Sequence, residues 1–289
     1  MSPNNPKKAP ATPVKLISAN LQAGITTRRY SDYLTQSWSH VLPLGKKKTL
    51  TSLAEHLQGA DIAGIQEADS GSLRSGFHHQ TIGLSERAGF SHWHHQTNRK
   101  IGLLACSGNG ILSRYQAQEV TSLPLPGSPG RGALLARYQL EGMEHQLLVG
   151  VVHLALGAST RAIQLAFLSE LMQNEPYAVL MGDFNCTINA PEMSSLWRST
   201  LLESIEAPAT FPSWNPTRAI DHILTTPALQ ADAPVVLAKS SSDHLMISRN
   251  IQLPTTIQKN STLTHLHVEP GQAVQGHDVS RAGDDAPFR

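Results

Sequence analysis

The stretch at residues 146–156, QLLVGVVHLAL, constrains the fold more than any other part of the sequence. Apolar residues fill both faces of an extended chain there, and such a strand must be covered on both sides. Six further short apolar runs are predicted as strands, at residues 14–19, 61–66, 109–112, 133–140, 178–181 and 220–224. Residues 160–173 show the spacing of an amphipathic helix, and residues 49–57 form a second helix candidate. The pattern predicts a layered α/β protein with packed sheets and outer helices.

The polar ends of the chain set the boundaries of the predicted domain. Residues 1–13 are rich in Pro, Asn and Lys, and residues 251–289 carry only scattered apolar residues without a sustained period. Such composition favours disorder. We therefore predict one folded domain at residues 14–250, with a disordered tail before it and a mostly disordered tail after it.

The charge balance argues mildly against a protein built to bind nucleic acid. Lys and Arg together number 23 and Asp and Glu 22, and aromatic residues make up 5% of the chain. Extended nucleic-acid grooves need basic residues and stacking rings. Two cysteines cannot form a disulfide framework, and no apolar run suits a signal peptide or a transmembrane helix. We expect a cytoplasmic monomer without a transmembrane segment.

Polar side chains occur at the ends of six predicted strands or within them. They are Asn20, Gln66-Glu67, His153, Asp183 with Asn185, Asp221-His222 and Asp243-His244. Taken singly, each is more often a turn residue, a helix cap or a hydrogen-bonded core histidine. Burial of any one without a partner costs a few kcal/mol. Six such places together favour a shared metal and substrate site.

The order of these residues resembles the endonuclease/exonuclease/phosphatase superfamily, which includes DNase I-like nucleases, AP endonucleases, neutral sphingomyelinases and inositol polyphosphate 5-phosphatases. The matching segments run from Ser18 to Ile247 and are SANLQ, IAGIQEAD, GNGILSR, GRGALLA, VVHLALG, LMGDFNC, TFPSWNPTRAIDHIL and SSDHLMI. GDFN followed by IDHIL and SDH is highly specific for this superfamily, and the chain most resembles its small bacterial members. The resemblance implies a four-layer α/β sandwich, with two packed mixed β-sheets flanked by helices.

The resemblance also implies a metal site. Glu67 would be the principal ligand, with Asn20 beside it and Asp243 near the same cluster. Mg²⁺ prefers octahedral oxygen ligation and keeps several waters, so one or two carboxylates suffice. We therefore expect Mg²⁺ as the cofactor, with Mn²⁺ as the alternative.

The same resemblance implies a catalytic set. Asp183 would orient and deprotonate the attacking water, Asn185 would hold a phosphate oxygen, and His153 would donate a hydrogen bond to the phosphoryl group. His244 and Asp221 resemble the superfamily's His–Asp pair, in which His244 is either a base toward water or a cation toward phosphate. A second metal held by Asp183, Asn185 and His244 is a further alternative.

Three residues outside these motifs have two interpretations each. Arg131, in GRGAL, is a candidate phosphate contact through its planar donor fork, and the alternative is a surface arginine at a strand entrance. Phe211 and Trp214 flank Asp221 and either wall the substrate pocket or pack in the core.

The histidines of SHWHHQTNRK suggest zinc at first sight. In a strand, His92 and His94 would share one face and His95 the other. No Cys or His at suitable spacing completes a zinc site, so we favour a structural role.

The favoured function is hydrolysis of a phosphodiester by a Mg²⁺-dependent enzyme. The alternatives are a nuclease on DNA or RNA, a lipid phosphodiesterase, a phosphomonoesterase on a soluble metabolite and, last, a non-catalytic binding protein of the same fold. The partner is thus a phosphoester substrate that is a nucleic acid, a lipid headgroup or a small molecule. We identify no membrane-binding amphipathic helix or hydrophobic hairpin in the sequence.

Overall fold

The computed structural model of the protein describes residues 13–21, 46–203, 205–237 and 242–254. In these ranges the strands are β1 (Pro13–Asn20), β2 (Ile62–Ala68), β3 (His92–Ile101), β4 (Ala105–Ser113), β5 (Glu119–Pro124), β6 (Gly132–Tyr138), β7 (Leu147–His153), β8 (Ala178–Asp183), β9 (Asp221–Thr225), β10 (Val235–Val236) and β11 (Ile247–Gln252). The α-helices are α1 (Lys46–Leu57), α2 (Gln80–Ala88), α3 (Ala158–Met172) and α4 (Ser194–Ser199).

The strands form two mixed sheets. One has six strands in the order β10-β11-β1-β2-β4-β3, and the other has five in the order β5-β6-β7-β8-β9. β1 and β2 are parallel, as are β7 and β8, and the other neighbours are antiparallel. The two packed mixed sheets with flanking helices confirm the predicted fold class.

A central core lies between the two sheets. It joins side chains such as Leu16 and Ile62 of the first sheet to Val149 and Met181 of the second. At Gly64 a Cβ atom would stand 2.8 Å from Val151 Cγ2, so the absence of a side chain on β2 allows the second sheet to approach there. Burial between the sheets explains why the inner faces of the parallel strands are apolar.

Two outer cores attach the helices to the sheets. Leu53 and Leu84, from α1 and α2, pack with Ile17 and Leu112 of the first sheet. On the other side Leu165 and Leu168 of α3 join a cluster that covers the second sheet. The result is four layers, with helices outside each sheet.

The predicted elements correspond to observed ones with shifted ends. The longest predicted strand, residues 146–156, ends as β7 at His153, which pairs with Asp183 at the end of β8, and the Leu154 amide still donates to the Asp183 carbonyl at 2.9 Å. Apolar periodicity missed β3, β5, β10, β11, α2 and α4. β3 lies at a sheet edge and its sequence, HWHHQTNRKI, is mostly polar.

The β3–β4 hairpin corrects one expectation. Its turn exposes Ile101, Leu103 and Leu104, with 47%, 75% and 54% of their surfaces accessible. The chain therefore does carry an exposed apolar hairpin turn, in a segment where no strand was predicted. No helix in the described ranges is long and apolar enough to cross a membrane.

The tail predictions lie almost wholly outside the described residues. β1 begins at Pro13 and β11 ends at Gln252, close to the two predicted boundaries. The division at residues 13 and 250 stays a prediction.

Candidate active site

One end of the two sheets collects the polar residues that the sequence placed at strand ends. β1 of the first sheet ends there at Asn20, and β7 and β8 of the second sheet end there at His153 and Asp183. β9 runs antiparallel to β8 and begins there, which pairs Asp221 with Asp183 across the ladder. Both sheets thus contribute residues, and we call this end of the molecule, with Asn20, His153, Asp183, Asp221 and His244, the catalytic edge.

Asp183 is the centre of the catalytic edge. Its side chain is buried, and its Oδ2 atom accepts a hydrogen bond from Asn20 Nδ2 at 3.0 Å. The Nε2 atoms of His153 and His244 lie 3.4 and 3.8 Å from the same oxygen. One carboxylate oxygen therefore faces an amide and two imidazoles, an arrangement suited to hold a water or a phosphoryl oxygen.

His244 is held from its other side by Asp221. Its Nδ1 atom lies 2.9 Å from Asp221 Oδ2, which also accepts a hydrogen bond from the Thr210 hydroxyl. The Phe211 ring packs on the imidazole, with 5.0 Å between ring centroids. These contacts fix the ring and direct Nε2 toward Asp183.

The two imidazoles of the catalytic edge differ in charge. Burial opposes a charge on His244, but Asp221 and Asp183 overcome it and raise its pKa to about 10. Burial dominates at His153 and lowers its pKa to about 3, although Asp183 favours the charged form. At neutral pH the site thus holds one cationic and one neutral imidazole.

The sequence GDFN builds the turn after β8. Gly182 has φ of 144°, and a Cβ there would stand 2.0 Å from the Val152 carbonyl oxygen, so only glycine fits. Asn185 adopts the left-handed region at φ 54°. Its backbone amide donates to Asp183 Oδ1 and its Nδ2 donates to the Leu154 carbonyl, both at 2.9 Å. The turn thereby fixes the Asp183 carboxylate.

Glu67 and Asp243 supply further carboxylates. Glu67 lies at a bulge where the register of β2 shifts, and it also has a left-handed backbone, at φ 58°. Burial raises the pKa of Asp243 to about 6, and Glu67 adds to the shift. A concentration of buried negative charge and oxygen donors fits a divalent cation, which would relieve the repulsion.

A second set of possible metal ligands lies at the same edge. Ligand atoms of Asp183, Asp221 and His244 all lie within 4.8 Å of one another. Because Asp221 and His244 already bond each other, their contact is explained without a metal. Glu67 and Asp243, with Asn20, are the better candidates for ligands.

A cleft of about 440 Å³ opens beside the catalytic edge. Glu67, His153 and Arg131 line it. Arg131 is half-buried, and burial lowers its pKa, although Glu67 and Asp183 favour its charge. Its guanidinium therefore faces the carboxylates across an open space large enough for a small molecule.

Three residues with a place in this site were missed by the sequence analysis. Thr210 lies in a loop at the start of the segment TFPSWNPTRAIDHIL, where the sequence analysis gave it no role. Asn109 is buried, lines the cleft and donates to the Gly132 carbonyl at 2.8 Å. The sequence feature that could have indicated Asn109 is the GNG triplet around it. Gly108 must be glycine, because a Cβ there would stand 1.8 Å from the Gln96 carbonyl oxygen. Arg99 also lines the cleft and lies on the unpredicted strand β3.

The histidines of β3 do not converge on a metal. His95 Nδ1 lies 2.9 Å from the Thr81 hydroxyl, and its ring meets His79 edge-on with centroids 4.7 Å apart. Among residues 13–21, 46–203, 205–237 and 242–254, the catalytic edge holds the one grouping of three close metal-ligating side chains. The structural interpretation of these histidines is therefore preferred.

Comparison with known proteins agrees with the geometry. A family profile, the Endonuclease/Exonuclease/phosphatase family, matches residues 17–244. A search of curated proteins finds no match.

Solved structures share the fold at low sequence identity. An endonuclease/exonuclease/phosphatase from Beutenbergia cavernae has a TM-score of 0.64 and 18% identity, covering 83% of this chain and 72% of its own. A mannosyl-6-phosphatase from Bacteroides thetaiotaomicron has a TM-score of 0.59 and 18% identity, covering 82% and 99%. Sphingomyelinase C from Streptomyces griseocarneus has a TM-score of 0.54 and 15% identity, covering 83% and 99%.

Proposed function

The chain belongs to the endonuclease/exonuclease/phosphatase family, and on that premise we propose that it is a divalent-metal-dependent hydrolase that cleaves a phosphodiester by attack of water. Members of this family are hydrolases of phosphoester bonds. The observation that carries the proposal is the arrangement around Asp183, where Asn20, His153 and His244 all direct nitrogen atoms at one buried carboxylate oxygen.

The metal would be held by Glu67, Asn20 and Asp243. These residues offer the carboxylate and carbonyl oxygens that Mg²⁺ prefers, and Mn²⁺ accepts the same donors. When bound, the cation supplies charge stabilisation to the phosphoryl group and to the leaving oxygen.

Asp183 is suited to accept the proton of the attacking water. The Asn185 amide and Asn20 hold its two oxygens in place, so the carboxylate needs little rearrangement to orient a water toward phosphorus. Asn185 Nδ2 has a second hydrogen besides the one that it donates to Leu154, and this hydrogen would bind a phosphoryl oxygen.

The two histidines would share the charge that develops on the phosphoryl group. His153, neutral because burial lowers its pKa, would donate one hydrogen bond. His244, whose pKa Asp221 and Asp183 raise against burial, would act as a cation and as a proton donor. The Asp221 contact thus favours the cation over the base among the two roles left open by the sequence.

The test is hydrolysis of bis(p-nitrophenyl) phosphate by the full chain. We expect turnover with Mg²⁺ or Mn²⁺, loss to background after treatment with EDTA, and recovery on return of the metal. p-Nitrophenyl phosphate, run in parallel, separates diesterase from monoesterase activity. Turnover that EDTA leaves unchanged would contradict the role of the metal.

A further inference from the structure

Two arginines line the cleft, Arg99 and Arg131. Arg99 lies on β3 and Arg131 directly precedes β6, and both side chains contribute to the same cleft as Glu67 and His153. Within the ranges that the structure describes, neither guanidinium makes a hydrogen bond or an ion pair. Two cations on one cleft wall, neither engaged in an ion pair with a described residue, favour the binding of an anion.

The two arginines are held close together by a glycine. Gly130 has φ of +79°, and a Cβ there would stand 3.3 Å from Arg99 Cβ and 3.5 Å from its Cδ. The aliphatic stem of Arg99 therefore lies against the loop that carries Arg131. Burial lowers the pKa of Arg131, Glu67 and Asp183 favour its charged form, and the nearby positive charge of Arg99 has a smaller opposing effect.

A helix N-terminus adds to the positive potential of the same cleft. Gly157, the N-cap of the fifteen-residue helix α3, and Thr160 in its first turn both line the cleft. The first amides of a helix have no intrahelical acceptor, and Gly157 has no side chain to cap them. Such amides bind phosphate well.

We propose that Arg99, Arg131 and the first turn of α3 form a subsite for a second phosphate group of the substrate. The substrate is then a small phosphodiester that carries a further phosphate, and this inference rests on the proposed phosphodiesterase function. Guanidinium forks match phosphate oxygens in pairs, and a cleft of about 440 Å³ has the size of a small-molecule site.

Binding of inorganic phosphate tests the subsite without catalysis. Without metal, the carboxylates around Asp183 repel anions, so titration of the full chain in EDTA reports on the arginines. We expect saturable binding that Arg99→Gln weakens about 10-fold. The matched control is Lys100→Gln, since exposed Lys100 lines a different cavity, and it should change binding less than about 2-fold. No saturable binding, or equal weakening by both substitutions, would overturn the subsite.

A matched pair of substrates tests whether the subsite binds a second phosphate group of the substrate. The pair is the p-nitrophenyl phosphodiester of glycerol with and without a phosphate on another hydroxyl. We expect kcat/KM about 10-fold higher for the phosphorylated member, and Arg99→Gln should reduce this ratio toward one while Lys100→Gln preserves it. The dinucleotide of thymidine, with and without a 5′-phosphate, shows whether a nucleotide or a polyol supplies the group.

The outcomes separate the two proposals. If both members of each pair are hydrolysed at equal rates, the subsite is wrong and the phosphodiesterase function stands. If Arg99→Gln slows both members equally, the arginines hold the scissile phosphate and the subsite is again wrong. If no diester is hydrolysed with Mg²⁺ or Mn²⁺, the phosphodiesterase function fails, and the phosphate titration still decides whether the arginines bind an anion.

Discussion

The catalytic edge and the histidine face, which we define as His79, His94 and His95, contrast in the charge of one imidazole each, His244 and His95. His244 is buried against Phe211 and its pKa is raised to about 10, whereas His95 packs against His79 and burial lowers its pKa to about 4. Each ring has a polar partner 2.9 Å from Nδ1, Asp221 in one case and the Thr81 hydroxyl in the other. The carboxylates outweigh burial at His244, whereas burial prevails at His95, as it does at His153.

The carboxylates nearest the two groups differ in the same way. Asp69, near the histidine face, accepts hydrogen bonds from the Gly71 and Ser72 amides and from the Ser72 and Ser75 hydroxyls. Burial raises the pKa of Asp69, but these bonds outweigh it and leave the pKa lowered. Its charge stabilises a local turn, whereas the Asp183 oxygen faces groups from three different strands and segments. Most donors to Asp69 come from its own turn, with the Cys106 amide at 3.4 Å as a further one.

The strongest test of this contrast is Asp183→Asn. Loss of the charge removes the group that orients the attacking water, so kcat/KM for bis(p-nitrophenyl) phosphate should fall by at least about 10³-fold. The thermal unfolding midpoint of the variant, measured beside the wild type, controls for misfolding. Activity within about 10-fold of wild type would contradict the central role of Asp183.

Asp221→Asn should have the next largest effect. Asp221 raises the pKa of His244, so its neutralisation should lower the NMR titration midpoint of His244 and reduce kcat/KM by about 10²-fold. The raised pKa stabilises the folded protein fully below pH 6.5, and this stabilisation is lost as pH rises through about 10. The variant should lose less stability than wild type over that alkaline range, in denaturant titrations at pH 7 and 10. An unchanged His244 midpoint would refute the coupling.

Thr210→Val should reduce activity more modestly. It removes the hydroxyl that donates to Asp221 Oδ2 and keeps a similar volume. The loss of one hydrogen bond is worth about 1 kcal/mol, so kcat/KM should fall about 3- to 10-fold. Thr210→Ser retains the donor and should recover most of the loss. Equal activities for the valine and serine variants would show that the hydroxyl does not position Asp221.

His95→Gln should leave catalysis within about 2-fold of wild type and change the acid side of the stability profile. The lowered pKa of His95 stabilises the folded protein above pH 6.5, and this stabilisation is lost as pH falls through about 4. The variant should therefore lose less stability than wild type between pH 6.5 and 4, by up to about 3 kcal/mol. The control is His145→Gln, at an exposed position. Identical slopes for wild type and His95→Gln would contradict the assignment.

The sequence could predict the layers and the polar strand ends because both depend on local pattern. Strands that are apolar on both faces, such as β7 and β8, must be buried within a covered sheet. The segment GDFN combines a glycine that no other residue can replace with an asparagine suited to a left-handed turn. The order of these motifs then indicated one shared site.

Other parts of the site depend on contacts that no local pattern encodes. Arg99 lies on an edge strand of polar residues, and its importance arises only because Gly130 brings the Arg131 loop against it. Thr210 looks like any loop threonine until the fold places it beside Asp221. The apolar hairpin turn at Ile101 and Leu103 was also missed, because β3 before it is mostly polar and shows no apolar alternation.

At Glu67 and Asn185, which have a left-handed backbone, selection for stability and selection for activity favour different residues. Glycine adopts this conformation without the steric cost that a side chain carries. A library selected for heat resistance alone should therefore accumulate glycine at both positions, and one selected for turnover should retain the side chains. The two selected libraries should differ first at these two positions, so the residues found there indicate which property was selected.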